Sequence, residues 1–170
     1  MKRIKFISIA ISLLLVLVLL MSSCGLTGPA YEGQSKEFET DEIKITLTNR
    51  FFESENEERD FFFLSTTCGA TGFKEHYSTM FESKNATIAD YASLMRQANS
   101  QMNPSEIKVE EGLTYVECTG NDDDGDPWTY FLTFLRNGDY FWTVQFHCMT
   151  EEYEEFKPYF FEWANSISFK

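Results

Sequence analysis

The chain has 170 residues, a formal net charge of −13, and 16% aromatic residues. Such an acidic surface repels nucleic acid and anionic lipid headgroups, so nucleic acid is excluded as a partner. Disordered chains contain few aromatic residues, and the 17 Phe, 8 Tyr and 3 Trp therefore predict a folded domain.

The first 24 residues have the organisation of a secretory signal. Lys2, Arg3 and Lys5 precede an uncharged, largely apolar run from Phe6 to Met21, and Ser22-Ser23-Cys24 follows. A basic start, an apolar run and small residues at its end are the three parts of a signal peptide. The run is shorter than the roughly 20 residues that cross a bilayer, so we predict cleavage after residue 23.

The residues around Cys24 also resemble the lipobox of bacterial lipoproteins, although Met21 stands where that pattern usually has Leu. The resemblance implies a lipid thioether on Cys24 that holds the protein to the outer face of the cytoplasmic membrane. Because residues 1–23 carry three basic residues and no acidic ones, the remaining chain has a net charge of −16. We expect residues 24–35 to form a flexible tether and 36–170 to form one domain.

Alternating apolar residues predict the first strands of this domain. Ile43, Ile45 and Leu47 lie on one face of a strand that pairs back, through Thr40-Asp41, with a short strand around Phe38. The acidic stretch 53–60 indicates a loop. The apolar run 61–67 predicts another strand, and Cys68-Gly69 suggests a tight turn into a third strand over 71–77.

Thr87 marks the start of a helix, since its hydroxyl and Asp90 three residues later have the spacing of a capping box. The helix should end before Pro104, which cannot continue it. Its apolar stripe consists of Ile88, Tyr91, Met95, Ala98 and Met102.

Asn137-Gly138 is the strongest turn signal, because both residues tolerate the positive φ angles of a type I′ hairpin. A turn centred on this pair places Leu135 opposite Tyr140 and Phe131 opposite Val144. Residues 128–135 are apolar on both faces, which predicts a sheet covered on two sides. A final helix from about Thr150 carries an aromatic stripe, and Pro158 should bend it or begin a second helical segment.

Three cysteines follow Cys24, namely Cys68, Cys118 and Cys148. At most one pair can form a disulfide within the chain, and the sequence does not say which. Cys68 and His76 would be a nucleophile and base if a hairpin brought them together. His76 and His147 are the only histidines, and no metal-binding spacing accompanies them, so no structural zinc site is expected.

The densest acidic cluster is Asn121-Asp122-Asp123-Asp124-Gly125-Asp126. Asp122, Asp124 and Asp126 are weak candidates for calcium ligands, since this hard cation prefers oxygen. Phe131 stands where an EF-hand loop needs glutamate, so the cluster is not an EF-hand. Asp and Gly are equally suited to a long hairpin loop.

The order of these elements resembles the PsbP-like domains found in uncharacterised bacterial lipoproteins. The resemblance covers about 36–170 and rests on the strand Ile43-Lys44-Ile45-Thr46-Leu47-Thr48, the helix 87–102, Gly112-Leu113-Thr114-Tyr115, the hairpin carrying Tyr130 and Tyr140, and the closing Ser166-Ile167-Ser168-Phe169. It implies an α+β fold, a single α/β/α sandwich with a central antiparallel sheet of six to seven strands and helices on both faces. Family members with known roles are assembly or interaction modules, including an extrinsic photosystem subunit and a Ran-binding protein, and no shared catalytic residues come with the fold.

The sequence thus favours a lipid-anchored extracytoplasmic module that binds an envelope protein or a small ligand, without a cofactor or catalytic constellation. Two alternatives stay open: a thiol-dependent enzyme or redox protein using Cys68, Cys118 or Cys148, and a calcium-dependent binding protein using the Asp122–Asp126 loop.

Overall fold

The computed structural model describes residues 28–122 and 124–170. The predicted signal peptide, Cys24 and Asp123 lie outside the described residues. Within the described ranges, no helix is both long and apolar enough to cross a membrane.

The described part of the chain forms ten strands and two α-helices. Their bounds are β1 Ser35–Glu39, β2 Ile43–Thr48, β3 Phe52–Glu53, β4 Phe61–Leu64, β5 Cys68–His76, α1 Ile88–Ala98, β6 Lys108–Glu110, β7 Leu113–Asn121, β8 Pro127–Asn137, β9 Tyr140–Met149, α2 Tyr153–Asn165 and β10 Ser168–Phe169.

Seven strands form one antiparallel sheet in the order β3-β4-β5-β9-β8-β7-β6. This confirms the predicted α+β class and the number of strands. The hairpin predicted around Thr40-Asp41 also forms, but it belongs to a separate three-stranded sheet, β1-β2-β10.

Both faces of the large sheet are covered, as the apolar pattern of 128–135 predicts. Phe131 packs in the core shared by the sheet, α2 and the small sheet, whereas Leu132 and Phe134 pack on the opposite face beneath α1. The stripe of α2 is buried in the first of these cores and consists of Tyr153, Phe156, Phe160, Trp163 and the partly buried Ile167 that follows the helix. The architecture is therefore a sandwich with one helix on each face.

The capping box of α1 forms as predicted. The Thr87 hydroxyl accepts a hydrogen bond from the Asp90 backbone N–H at 3.2 Å, and the Asp90 carboxylate accepts from the Thr87 N–H at 2.8 Å. The helix ends earlier than Pro104 requires, at Ala98, and a 3₁₀ turn over Ser100–Met102 follows.

The register predicted for the long hairpin is wrong. Asn137 pairs with Tyr140, so the loop residues are Gly138 and Asp139, and Leu135 lies opposite Trp142 instead of Tyr140. Phe131 correspondingly lies opposite Phe146. The reason is that only Gly138, at φ +59°, takes a positive φ in this turn, so Asn137 remains in the strand.

The turn predicted at Cys68-Gly69 is also misplaced, because Cys68 already begins β5. The Ser65 hydroxyl closes the turn earlier, accepting from the Cys68 N–H at 3.0 Å and donating to the Cys68 carbonyl at 2.8 Å. Gly69 leaves space for the imidazole ring of His147, because a Cβ at this position would lie 2.3 Å from Cε1 of that ring.

The boundary predicted between tether and domain is wrong for residues 28–35. Ala30 is fully buried in the core, and its N–H donates to Thr67 Oγ1 at 3.0 Å. The ring of Tyr31 stacks on Tyr159 at 4.7 Å, and its hydroxyl donates to Glu155 at 2.9 Å. The folded domain therefore includes the first described residues.

Helix α2 runs without interruption through Pro158, so the second helical start offered by the sequence is not present. The proline removes a donor to the Glu154 carbonyl, but both residues are exposed. Water can therefore satisfy that carbonyl.

Candidate functional site

Two of the domain's three cysteines share one face of the large sheet, and the third lies on the opposite face. Cys68 and Cys148 are directly opposite each other on β5 and β9 and belong to the core beneath α2. Cys118 lies on β7 in the core beneath α1. All three carry free thiols in this structure.

Burial determines the chemistry of these thiols. It raises the pKa of Cys68, raises that of Cys118 to about 11 and raises that of Cys148 to about 12. A nucleophilic thiol needs a lowered pKa and access to substrate, so these environments oppose thiol catalysis. The predicted proximity of Cys68 and His76 does not occur, because they are the first and last residues of the same strand, β5.

Asp122, Asp124 and Asp126 lie in the loop between β7 and β8. The Asp122 carboxylate accepts hydrogen bonds from the backbone N–H groups of Asp124 at 3.1 Å and Asp126 at 2.8 Å. Its second oxygen accepts from the indole N–H of Trp128 at 3.0 Å. These bonds hold the pKa of Asp122 below its usual value. The described residues contain no group of three ligands arranged for a metal ion.

A groove of about 520 Å³ lies where the small sheet meets the large one. Its walls come from the β1–β2 turn, the stretch from β3 to β4, one residue of β9 and the residue that follows β10. They are Glu39, Thr40, Asp41, Glu42, Glu53, Asp60, Trp142 and Lys170. We call this feature the acidic groove.

Acidic side chains outnumber basic ones in the acidic groove. Lys170 bonds to Glu39 at 2.7 Å, and Lys74, at the side of the groove, bonds to Glu42. The hydrogen bonds from Lys170 and Lys44 lower the pKa of Glu39. Among the described residues, the ion pairs leave Asp41 and Glu53 without a basic partner. The groove thus presents uncompensated negative charge beside the buried indole of Trp142.

The acidic groove lies far from the point where the chain enters the domain. Ser35, at one end of β1, pairs with Thr48, whose hydroxyl donates to the Ala30 carbonyl. Glu39, at the other end, lies in the groove. A strand rises by roughly 3.4 Å per residue, which separates the two ends of β1 by about 14 Å.

Sequence reasoning did not find the acidic groove. Its residues come from four separate stretches of the chain, and the one local signal is the acidic run 53–60, whose composition indicates a loop. Contact between the two sheets brings this run beside Asp41, so the groove depends on tertiary structure.

Solved structures that share the fold include the following two. The solution structure of the cyanobacterial PsbP protein from Synechocystis has a TM-score of 0.52 and 14% identity, covering 86% of this chain and 97% of its own. A crystal structure from Bacteroides thetaiotaomicron has a TM-score of 0.51 and 16% identity, covering 81% of this chain. This chain spans about half, 49%, of that second protein.

At these identities the likeness establishes a PsbP-like fold and nothing about activity. No protein-family profile matches the sequence, and no curated protein matches it.

Proposed function

We propose that this protein is a lipid-anchored extracytoplasmic binding module whose acidic groove holds a basic segment of an envelope protein. The observation that carries the proposal is the groove itself, with its uncompensated Asp41 and Glu53. Free carboxylates suit an ammonium or guanidinium group, since opposite charges attract and charge-assisted hydrogen bonds are strong.

The position of the acidic groove agrees with an anchor on Cys24. Only residues 25–27 separate Cys24 from the first described residue, and a chain extends by at most roughly 3.6 Å per residue. A lipidated Cys24 would therefore hold the Ala30 end of the domain close to the bilayer. The groove, at the far end of β1, would then be presented away from the membrane.

The anchor is tested by labelling growing cells with a fatty-acid analogue. We expect label on the wild-type protein and none on Cys24→Ala, with the wild type in the membrane fraction and the variant released. Equal labelling of the two proteins would refute the lipid anchor and leave the groove hypothesis to its own test.

The acidic groove is tested with a lysine-rich peptide and a glutamate-rich peptide of the same length, using the full chain with Cys24→Ser in detergent. We expect the lysine-rich peptide alone to bind, and more weakly at high salt. Asp41→Asn combined with Glu53→Gln should raise its Kd about tenfold, since each lost ionic contact costs on the order of 0.7 kcal/mol.

The matched control is Glu151→Gln combined with Glu154→Gln, which removes the same charge from exposed residues outside the groove. This variant should bind within about twofold of wild type. Equal weakening by both double variants would mean that net charge, and not the groove, attracts the peptide.

The geometry gives less support to the two other functions. A thiol-dependent enzyme would need an accessible, acidified thiol, and the cysteines are buried with raised pKa values. Calcium at the Asp122–Asp126 loop would compete with the three hydrogen bonds that Asp122 already accepts. Neither function has a feature comparable to the acidic groove in its favour.

A further inference from the structure

We propose that Cys68 and Cys148 are an oxidisable pair that forms a cross-strand disulfide between β5 and β9, while Cys118 remains a thiol. The proposal goes beyond the binding function and shares no residue with the acidic groove. It also selects one pairing from the three that the sequence leaves open.

The register of the sheet places the two cysteines together. Cys68 and Cys148 are paired residues of the antiparallel ladder, so their side chains project from the same face. Opposed residues in such a ladder have Cα atoms about 4.5–5.5 Å apart, within the roughly 4.4–6.8 Å that disulfides span. Burial is the main cause of the raised pKa of Cys68, and the negative charge of a Cys148 thiolate adds to it, which reflects this proximity.

Cys118 cannot join either partner without rearranging the fold. It lies two strands from β9, since β8 separates β7 from β9. It also packs in the core on the opposite face of the sheet. Cys118 is therefore the cysteine that stays unpaired.

The oxidant we infer is a small-molecule or protein disulfide. The thiolate of one cysteine attacks a sulfur of this disulfide and releases one thiolate, leaving a mixed disulfide. The second cysteine's thiolate attacks the protein sulfur of that mixed disulfide and releases the other. Both cysteines are oxidised, the disulfide is reduced to two thiols, and the two cysteine protons end on the released thiols.

Burial determines when this exchange takes place. Cys68 is 3% exposed and Cys148 is 0% exposed, so the folded protein presents neither sulfur to an oxidant. Oxidation therefore takes place during folding, after β5 and β9 have paired and before the core beneath α2 has formed. The disulfide joins residues that are 80 positions apart in sequence. It therefore stabilises the fold by lowering the conformational entropy of the unfolded chain.

The experiment refolds the full chain with Cys24→Ser in detergent, with glutathione disulfide and glutathione as the redox buffer. Free thiols are then alkylated in denaturant and the linked peptides are identified by mass spectrometry. We expect one linkage, Cys68 to Cys148, with Cys118 alkylated. Reducing it should lower the melting temperature by about 10 °C.

Cys118→Ala is the matched control and should retain the linkage, whereas Cys68→Ala and Cys148→Ala should each leave the two remaining thiols alkylated. A linkage that includes Cys118, or alkylation of all three cysteines in the refolded parent, would overturn the proposal. Because the parent chain carries the main measurement, poor folding of a variant does not affect the result. Peptide binding by the groove is measured separately, so failure of one proposal is distinguishable from failure of the other.

Discussion

At the scale of single residues, Glu117 is a partly buried carboxylate that accepts three side-chain hydrogen bonds. Lys157 donates to it at 2.7 Å, the Tyr153 hydroxyl donates at 2.7 Å, and Lys108 donates to its other oxygen. Its side chain is 16% exposed. Burial acts to raise the pKa of Glu117, but the three hydrogen bonds outweigh it and lower the pKa from 4.5 to about 2. The residue thus joins α2 and β6 to the centre of β7.

We predict that Glu117→Gln lowers the free energy of unfolding at neutral pH by about 2 kcal/mol, because Lys108 and Lys157 lose their shared carboxylate. A carboxylate with a lowered pKa stabilises the fold above its unfolded pKa and loses this effect as pH falls through the folded one. The difference between variant and wild type should therefore shrink between pH 4.5 and about 2. Urea unfolding across this range measures it.

Glu106→Gln is the control for this prediction. Glu106 pairs with Arg96 on the surface, where its side chain is 87% exposed. Its loss should change stability by less than about 0.5 kcal/mol at any pH. A Glu117 effect that did not vary with pH would contradict the proposed role of its ionised form.

At the scale of elements, α1 depends on its first turn. The reciprocal bonds between Thr87 and Asp90 satisfy two backbone donors that the helix itself leaves free. We predict that Thr87→Ala lowers the free energy of unfolding by about 1 kcal/mol in urea titrations. Ser93→Ala, at an exposed position of the same helix, should be neutral or slightly stabilising. Equal losses in the two variants would mean that the cap contributes nothing of its own.

Local patterns predicted elements better than they predicted how elements meet. The cap of α1, the two-sided strand β8 and the aromatic stripe of α2 each depend on residues close in sequence, and each is present. The register of the β8–β9 hairpin depends on whether Asn137 adopts a positive φ together with Gly138, which composition does not determine. The pairing of Cys68 with Cys148 depends on two strands far apart in sequence, so the sequence left it open.

At the scale of the whole molecule, the acidic groove and the entry of the chain lie at opposite ends of β1. The Ala30 end carries the entry of the chain and the Cys68–Cys148 pair, whereas the acidic groove lies at the Glu39 end. Trp142 and Cys148 lie near opposite ends of β9, which spans both regions. The proposed binding at the groove and the proposed oxidation of the cysteines therefore involve separate parts of the molecule.

The folded extent of the molecule gives a final prediction. A chain beginning at residue 28 should melt about 10 °C higher than one beginning at residue 36, because the longer chain buries Ala30 and Tyr31 for roughly 2–3 kcal/mol. Composition suggests a tether here because 25–35 is rich in small and polar residues. It does not reveal the burial of Ala30, because that burial depends on contacts with the distant Thr48 and Thr67. Equal melting temperatures would show that these contacts add nothing and that the domain begins at Lys36. In that case a longer tether would join the acidic groove to the proposed anchor on Cys24, and the fold would no longer determine how far the groove lies from that anchor.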